Sequence, residues 1–283
     1  MKTVAIAGVG LIGGSFGLAL RAAGFGGNIV GVSSPATIAK AVRRGAIDAG
    51  VSLEQAAAEA DLLLLAQPIS VILETLPKLA GKLRSGALVT DAGSTKRRIM
   101  ECGAQALSGS FLGGHPMAGK ESRGVEVAEA ELFRGRPWML TPRVAEDLEG
   151  PRAQEFLGWL ERIGAHAIVC SPEDHDRRVA RSSHLPQMLA TTLAHGLGAR
   201  EDRAAVAGTA GPGLAGMTRL ALSAWTIWKD ILATNGDYIG EALSEFQGEL
   251  GETLKLLEAG ELEEAFREGA EFAAEVRKTG SAS

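Results

Sequence analysis

Short apolar runs with strand character alternate with helix-period segments over the first 171 residues of the chain. The first run covers residues 4–7 and is rich in β-branched side chains, and a helical segment follows at 15–23. Further predicted strands cover 28–32, 61–66, 87–91, 110–113, 137–141 and 166–170, and predicted helices cover 36–44, 68–82, 95–106 and 151–163. Strands that alternate with helices at this spacing predict a mostly parallel sheet with helices on both faces.

The pattern changes at Ser171–Pro172, after which only helix-period segments remain. We therefore predict two domains, an α/β domain at 1–171 and an all-helical domain at 172–283. The two last helices, at 239–258 and 261–278, carry apolar residues at three-to-four spacing. These residues are Leu243, Phe246, Leu250, Leu254 and Leu257, then Leu262, Phe266 and Phe272. Such a stripe either packs on neighbouring helices of its own domain or forms the interface of a two-fold dimer.

A glycine-rich turn separates the first strand from the first helix. Gly8, Gly10 and Gly13 form a G-x-G-x-x-G motif that ends the strand and opens the helix. The first glycine permits a sharp turn, the second lets phosphates approach the backbone, and the third lets helix and strand pack closely. The turn therefore predicts a dinucleotide site in a Rossmann-type domain, with an ordinary tight turn as the alternative.

Composition excludes several classes of protein. The net charge of −5 and the pI near 5.7 argue against a general binder of nucleic acid or anionic membranes. The two cysteines, Cys102 and Cys170, have no metal-like spacing and are typical of a reducing cytoplasm. The longest apolar stretches, such as 62–66, are too short to span a bilayer, and we expect no signal segment.

Two polar loops follow predicted strands. The first, DAGSTK at 91–96, and the second, GGHPMAGKE at 113–121, should both lie at the carboxyl edge of the sheet, where open α/β folds bind ligands. The second loop holds His115 between glycines and a proline. This histidine is either a catalytic base whose surrounding backbone is fixed by those residues or a structural, hydrogen-bonded side chain.

Several motifs taken together are similar to those of a known family. They are GVGLIGGS at 8–15, DAGSTK at 91–96, GGHPMAGKE at 113–121, SSHLPQ at 182–187 and TRLALSAWTIWKD at 218–230. Their order and spacing resemble the prephenate and arogenate dehydrogenase family of tyrosine biosynthesis over essentially the whole chain. The resemblance implies a dinucleotide domain followed by a helical dimerisation domain, a homodimer, and no added chorismate mutase or regulatory domain.

The resemblance also implies the reaction and its residues. The expected activity is oxidative decarboxylation of prephenate or arogenate with hydride transfer to NAD(P)+. His115 is expected to accept the proton of the substrate hydroxyl, as a neutral imidazole can near pH 7. Ser94 is expected to orient the imidazole or the substrate hydroxyl. Arg219 is expected to bind a substrate carboxylate. The other expected substrate-binding residues are His184, Gln187, Trp228 and Glu121, with Trp228 acting in its own or in the partner subunit's site.

Two positions depart from the family pattern. Gln187 stands where some prephenate-specific relatives have a second histidine, and glutamine cannot become cationic, which favours acceptance of arogenate as well as prephenate. The second strand ends at Ser33 and Ser34 without the acidic residue typical of NAD enzymes, which favours NADP+ or dual use, with Lys40, Arg43 or Arg44 as possible phosphate partners. The expected coenzyme-binding set is Gly8, Gly10, Leu11, Ile12, Gly13, Ser33, Ser34, Gln67, Pro68 and Ser94.

Two other functions are compatible with parts of the sequence. A β-hydroxyacid-type dehydrogenase would use a lysine of the helical domain, where Lys229 precedes the terminal helices. A non-catalytic NAD(P)-sensing dimer would keep the glycine turn alone. Neither alternative gives a role to Ser94, His115 and Arg219 together.

Overall fold

The computed structural model describes residues 1–120 and 122–281. The chain divides into two compact units, which we call the N-terminal unit, Met1–His175, and the C-terminal unit, Asp176–Lys278. The division falls inside a helix, four residues beyond the Ser171–Pro172 junction at which the sequence pattern changes.

An eight-stranded sheet forms the centre of the N-terminal unit. The strands are β1 Thr3–Ala7, β2 Asn28–Val32, β3 Ala49–Gly50, β4 Leu62–Leu65, β5 Leu88–Asp91, β6 Phe111–Pro116, β7 Pro137–Thr141 and β8 His166–Val169. Their spatial order is β3-β2-β1-β4-β5-β6-β7-β8. All neighbouring pairs are parallel except β6 and β7, which confirms the predicted mostly parallel sheet.

The helices of the N-terminal unit agree with the sequence pattern, with one omission. They are α1 Leu11–Ala22, α2 Pro35–Arg43, α3 Leu53–Glu59, α4 Ile69–Thr75, α5 Arg97–Leu107 and α6 Pro151–Arg162. The sequence reading missed β3 and α3 because β3 has two residues and α3 is a short alanine-rich segment. The predicted helix at 68–82 is shorter in the structure, since α4 gives way to a 3₁₀ turn at Leu76–Leu79.

Both faces of the central strands β4, β5 and β6 are buried, whereas the edge strands β3 and β8 are largely exposed. All four leucines of β4 are inaccessible to solvent, which is the continuous apolar run expected of a central parallel strand. The largest side chains of the core form an aromatic cluster beside it: Phe16 on α1 contacts Phe133, Trp138 on β7 and Phe156 on α6, with ring centroids 5.7–6.5 Å apart. This cluster fixes α1, and with it the glycine turn, against the sheet.

A buried carboxylate joins three separate segments of the N-terminal unit. Asp61 precedes β4 and accepts hydrogen bonds from the backbone N–H groups of Lys2 and Thr3 and from the guanidinium groups of Arg84 and Arg152. Burial by itself raises the pKa of this carboxyl, but the two amide donors and the two arginines outweigh it and hold the pKa below its usual value. Asp61 therefore stays ionised at neutral pH.

The C-terminal unit is all helical in its described part, as predicted. Its elements are the end of α7 Pro172–Val179, a π-helical turn Ala180–His184, α8 Leu185–Gly198, α9 Arg203–Gly208, α10 Pro212–Thr218, a 3₁₀ turn Arg219–Leu222, α11 Trp225–Ala259 and α12 Glu263–Ser281. α11 is kinked at Asn235, whose backbone is non-helical (φ −142°, ψ 21°). None of the helices in the described ranges is both long enough and apolar enough to cross a membrane.

The apolar stripe of the two last helices is largely uncovered. Leu250, Leu254 and Leu257 on α11 and Phe266 and Phe272 on α12 are exposed by 56–75%. Packing against the helices of their own unit, one of the two readings of the stripe, is therefore wrong for these five side chains.

Candidate active site

Three glycines shape the turn between β1 and α1. Gly8 has a φ of +93°, and a Cβ at this position would lie 2.5 Å from the carbonyl oxygen of Ala66. A Cβ at Gly13 would lie 2.2 Å from the carbonyl oxygen of Gly8, whereas one at Gly10 would meet nothing within 4 Å. Two glycines are thus required by packing, and the third leaves open space at the start of α1. The turn fits a pyrophosphate, because the first amides of α1 face that space without a side-chain cap.

A cavity of about 370 Å³ opens beside this turn. Of the expected coenzyme residues, those that line it are Gly8, Gly10, Ser33, Gln67 and Pro68. Lys40, Thr37 and Glu126 also line it. The cavity therefore joins the glycine turn to the carboxyl end of β2, where the ribose of a dinucleotide lies in folds of this type.

The other expected coenzyme residues have different surroundings. Leu11 and Ile12 begin α1, and Gly13 packs against Gly8 behind the turn. Ser34 is the N-cap of α2: its hydroxyl oxygen accepts a hydrogen bond from the backbone N–H of Thr37 at 3.3 Å. The guanidinium of Arg44 donates to the carbonyl oxygen of Ala128 at 2.7 Å.

A buried ion pair links the loop after β5 to β6. Asp91 and Lys96 are both fully buried and paired with each other. Asp91 also accepts from the backbone N–H groups of Gly93 at 2.8 Å and Gly114 at 3.0 Å, while Lys96 donates to the carbonyl oxygen of Gly114 at 2.7 Å. Both charges are therefore hydrogen-bonded, as burial requires. The pair holds the turn that carries Ser94 against the residue that precedes His115.

The expectation that His115 lies in a loop after a strand is wrong. β6 extends to Pro116, and His115 pairs with Met139 of the antiparallel strand β7. The neighbouring glycines do not provide loop flexibility. They provide space, because a Cβ at Gly113 would lie 2.3 Å from the hydroxyl of Thr141 and one at Gly114 2.6 Å from the carbonyl oxygen of Asp91. The extra partner strand β7 accounts for the error, since it pairs with residues that read as a turn.

A second histidine lies against His115. The Nδ1 atom of His115 is 2.9 Å from the Nε2 atom of His175 on α7, and the two ring centroids are 5.1 Å apart. His175 is fully buried, and 9% of His115 is exposed. One of the two nitrogens must donate and the other accept, so the contact couples the two rings: either His115 carries a proton on Nδ1, or His175 carries one on Nε2.

Two expected site residues of the C-terminal unit, His184 and Trp228, are in contact with each other. Their rings meet edge to face with centroids 5.7 Å apart. The side-chain nitrogen of Asn235, at the kink of α11, lies 3.3 Å from Nδ1 of His184 and donates to the carbonyl oxygen of Asp176 at 2.9 Å. Trp228 donates from Nε1 to the hydroxyl of Ser223 at 2.9 Å. His184 is almost fully buried, and Trp228 is half-buried.

The side chain of Gln187 binds the backbone of the residue that follows Arg219. The amide nitrogen of Gln187 donates to the carbonyl oxygen of Leu220 at 2.8 Å and to the hydroxyl of Thr191 at 3.1 Å. Gln187 therefore holds the 3₁₀ turn that Arg219 begins, and both of its amide protons are used within the protein. Arg219 itself is exposed. Glu121, the remaining expected substrate residue, lies outside the described residues.

Sequence reasoning missed four side chains at these positions: Lys96, His175, Asn235 and Glu126. A lysine or glutamate in a polar segment usually points to solvent, so nothing local marks Lys96 as buried or Glu126 as part of a cavity. The only available signal for His175 was its identity, one of five histidines in the chain.

The N-terminal unit brings the ends of four parallel strands to one edge of the sheet. The glycine turn follows β1, Gln67 and Pro68 follow β4, the Ser94 turn follows β5, and His115 ends β6. A dinucleotide turn and a buried histidine at one sheet edge, in a chain with a separate helical unit, define the class of two-domain nicotinamide-dependent dehydrogenases.

Comparison with known proteins gives the family. Residues 16–169 match the sequence model of the prephenate dehydrogenase nucleotide-binding domain, and residues 171–270 match that of the prephenate dehydrogenase dimerization domain. The chain belongs to the prephenate dehydrogenase family and is an NAD(P)-dependent dehydrogenase. This result excludes the β-hydroxyacid-type alternative built on Lys229.

Individual relatives are similar to this chain over most of their length. A prephenate dehydrogenase of Lactococcus lactis is 35% identical over 95% of this chain and 76% of its own. Among solved structures, prephenate dehydrogenase of A. aeolicus in complex with hydroxyphenyl propionate and NAD+ is 32% identical with a TM-score of 0.88, covering 98% of both chains. Arogenate dehydrogenase of Synechocystis is 31% identical with a TM-score of 0.81, covering 98% of this chain and 99% of its own.

Proposed function

We propose that this enzyme catalyses the oxidative decarboxylation of prephenate, arogenate or both, in tyrosine synthesis, with NAD(P)+ as hydride acceptor. The observation that carries the proposal is the buried His115 at the end of β6, on the sheet edge that also carries the glycine turn. The named relatives include both a prephenate and an arogenate dehydrogenase, which supports this pair of substrates.

The proposed role of His115 is that of general base. If Nδ1 of His115 carries its proton and donates it to Nε2 of His175, the lone pair of His115 remains on Nε2. That nitrogen then accepts the proton of the substrate hydroxyl, while the ring carbon that bears this hydroxyl gives up its hydride to the coenzyme. Loss of the ring carboxylate as carbon dioxide leaves its electron pair to the ring, which becomes aromatic. A neutral imidazole is required, because a protonated one has no acceptor.

The remaining expected residues have proposed roles in binding and orientation. Ser94, held in its turn by the Asp91–Lys96 pair, orients the substrate hydroxyl or the imidazole. Arg219 binds a substrate carboxylate, and its exposed guanidinium, beside a backbone turn held by Gln187, supports this role. His184, Trp228 and Glu121 complete the proposed substrate-binding set, as the resemblance implies.

NAD(P)+, when bound, supplies the hydride acceptor. The chain would hold it through Gly8, Gly10, Ser33, Gln67 and Pro68, which line one cavity. The absence of an acidic residue at the end of β2, with Ser33 and Ser34 in its place, supports use of NADP+ as well as NAD+, with NADP+ favoured on the sequence alone.

We also propose a homodimer formed by the C-terminal unit. The match of residues 171–270 to a dimerization domain supports it, as do the exposed apolar side chains of α11 and α12. A cytoplasmic location is part of the same proposal, supported by a sequence with only two cysteines, which do not form the pattern of a disulfide framework.

A direct assay tests the function. Purified protein is incubated with prephenate or arogenate and with NAD+ or NADP+, in all four pairs, and the absorbance of reduced coenzyme is followed together with release of carbon dioxide. We expect both products in equal amounts with at least one pair. Protein that binds NAD(P)+ but forms no reduced coenzyme with any pair would contradict the proposal and favour a non-catalytic, coenzyme-sensing dimer.

A further inference from the structure

Glu126 occupies a fixed position in the cavity beside the glycine turn. It belongs to a 3₁₀ turn, Val125–Val127, and lines the same cavity as Ser33, Thr37 and Lys40. Glu126 is far from β2 in sequence, yet it places a carboxylate at the ribose end of the cavity, where the end of β2 provides none.

The backbone around Glu126 is held by the two helices that border the cavity. Behind Gly14 of α1 lies Val125, so close that a Cβ at Gly14 would be 2.9 Å from its side chain. The hydroxyl of Ser15 accepts from the backbone N–H of Glu129 at 2.9 Å. On the other side, Arg44, which follows α2, donates to the carbonyl oxygen of Ala128. The position of Glu126 is therefore set by the fold.

The side chain of Glu126 is held as well. Lys40 on α2 donates to its carboxylate and forms an ion pair with it, and both side chains are about half exposed. Gly124 beside it has a φ of +93°, a backbone conformation that residues other than glycine rarely adopt. The Lys40 hydrogen bond, with a smaller contribution from the backbone N–H of Glu126, lowers the pKa of the carboxyl. Glu126 is thus a stable anion facing the cavity.

The pair matters because NAD+ and NADP+ differ at this end of the molecule. The 2′-phosphate of NADP+ carries close to two negative charges at neutral pH, whereas the 2′-hydroxyl of NAD+ is a neutral hydrogen-bond donor. Lys40 is the cation of the cavity lining in the described part of the chain, and its charge is already balanced by Glu126. A carboxylate accepts a hydrogen bond from a ribose hydroxyl and repels a phosphate.

We propose that Glu126 is the residue that limits binding of NADP+ in this enzyme, in place of an acidic residue at the end of β2. It neutralises Lys40 and repels the 2′-phosphate, and it accepts a hydrogen bond from the 2′-hydroxyl of NAD+. Ser33 and Lys40 would otherwise favour NADP+. The inference rests on the proposed use of NAD(P)+ and names the side chain that sets the ratio between the two coenzymes.

The test measures coenzyme binding without substrate, so it does not depend on whether prephenate or arogenate is turned over. Dissociation constants of NAD+ and NADP+ are determined by isothermal titration calorimetry for the wild-type chain, Glu126→Gln and Lys40→Gln. We expect Glu126→Gln to tighten NADP+ relative to NAD+ by about tenfold, because one repulsive charge is removed and Lys40 is released. Lys40→Gln should shift the ratio the opposite way, and both shifts should shrink at high salt.

Glu131→Gln is the matched control. Glu131 lies five residues further along, is exposed, and pairs with Arg134 outside the cavity lining. The ratio of the NAD+ and NADP+ dissociation constants of Glu131→Gln should equal that of the wild type. A ratio for Glu126→Gln within about twofold of the wild type, with NAD+ binding and thermal unfolding intact, would overturn the proposal. Failure of all variants and of the wild type to bind either coenzyme would instead contradict the proposed function itself.

Discussion

The Nδ1 atom of His115, at the end of β6, lies 2.9 Å from the Nε2 atom of His175 on α7. Both rings are buried, so these two nitrogens bond to each other and not to solvent. A hydrogen bond from a fixed neighbour selects one tautomer of an imidazole and one orientation of its ring, which is the usual way in which a catalytic base is prepared. We therefore expect His175 to position the ring of His115 for its proposed role.

His175→Leu should lower kcat by about tenfold to a hundredfold, because in the proposed tautomer His115 loses the acceptor of its Nδ1 proton. His175→Gln should recover much of the loss, since the amide oxygen of glutamine can accept the same proton. The measurement is kcat as a function of pH for both variants, with NAD(P)+ dissociation constants and thermal midpoints as controls. Equal activity in the two variants, at equal stability, would show that His175 only fills space.

His115→Asn should lower kcat by about a hundred- to ten-thousandfold, the range that a positioned general base contributes. The coenzyme dissociation constant should stay within about twofold of the wild type, because His115 does not line the coenzyme cavity. Steady-state kinetics and calorimetry check the two quantities separately. A parallel loss of turnover and coenzyme binding would mean that His115 supports the fold rather than the chemistry.

Arg219→Ala should raise KM by about ten- to a hundredfold with a smaller change in kcat, since a charged hydrogen bond to a carboxylate contributes about 1.5–3 kcal/mol. The thermal midpoint should change little, because interactions of an exposed side chain contribute little to stability. Arg200→Ala, which removes an exposed arginine paired with Asp202 in the same unit, is the control. An unchanged KM in Arg219→Ala would remove this residue from substrate binding.

Lys96→Met should destabilise the protein by about 3–5 kcal/mol, because it leaves the carboxylate of Asp91 buried without its cation. Adding Asp91→Asn should restore part of this loss, since asparagine carries no charge and its single side-chain oxygen still accepts from one of the two amides, that of Gly93 or that of Gly114. Denaturant unfolding measures both effects. Lys255→Met, at an exposed ion pair of α11, should change the stability by less than about 0.5 kcal/mol. A double variant no more stable than Lys96→Met would contradict the explanation.

Asp61→Asn should destabilise the protein by about 1–3 kcal/mol at pH 7, because four donors lose a charged acceptor. The pKa of Asp61 is held below its ordinary value of 3.8, so its stabilisation is complete above that value and is lost as the pH falls through the folded-state pKa. The difference between wild type and variant should therefore shrink below about pH 4. Urea unfolding at pH 7 and pH 3 checks this, and Asp202→Asn is an exposed control. A difference in unfolding free energy between wild type and Asp61→Asn that grows as the pH falls would contradict this prediction.

The local pattern of the sequence was sufficient for most of the fold. The leucines of β4 and the spacing of strands and helices predicted the parallel sheet, and the loss of strand patterns after Ser171–Pro172 predicted an all-helical part. The short elements β3 and α3 escaped because two residues, or an alanine-rich turn, carry no periodicity. The end of β6 was misread because its glycines have a packing reason that appears only when β7 and the loop after β5 lie beside it.

What the sequence by itself determined was whatever depends on a few consecutive residues: the periodicity of burial, the glycine turn, and the residue types at 94, 115 and 219. The tertiary structure decided which distant side chains meet. His175 is 60 positions from His115, and Glu126 is 86 positions from Lys40. A local pattern carries no record of such pairs, because their separation is fixed by how strands and helices pack across the whole unit. The imidazole ring that contacts His115 and the carboxylate that lines the cavity beside Lys40 therefore became visible only in the folded chain.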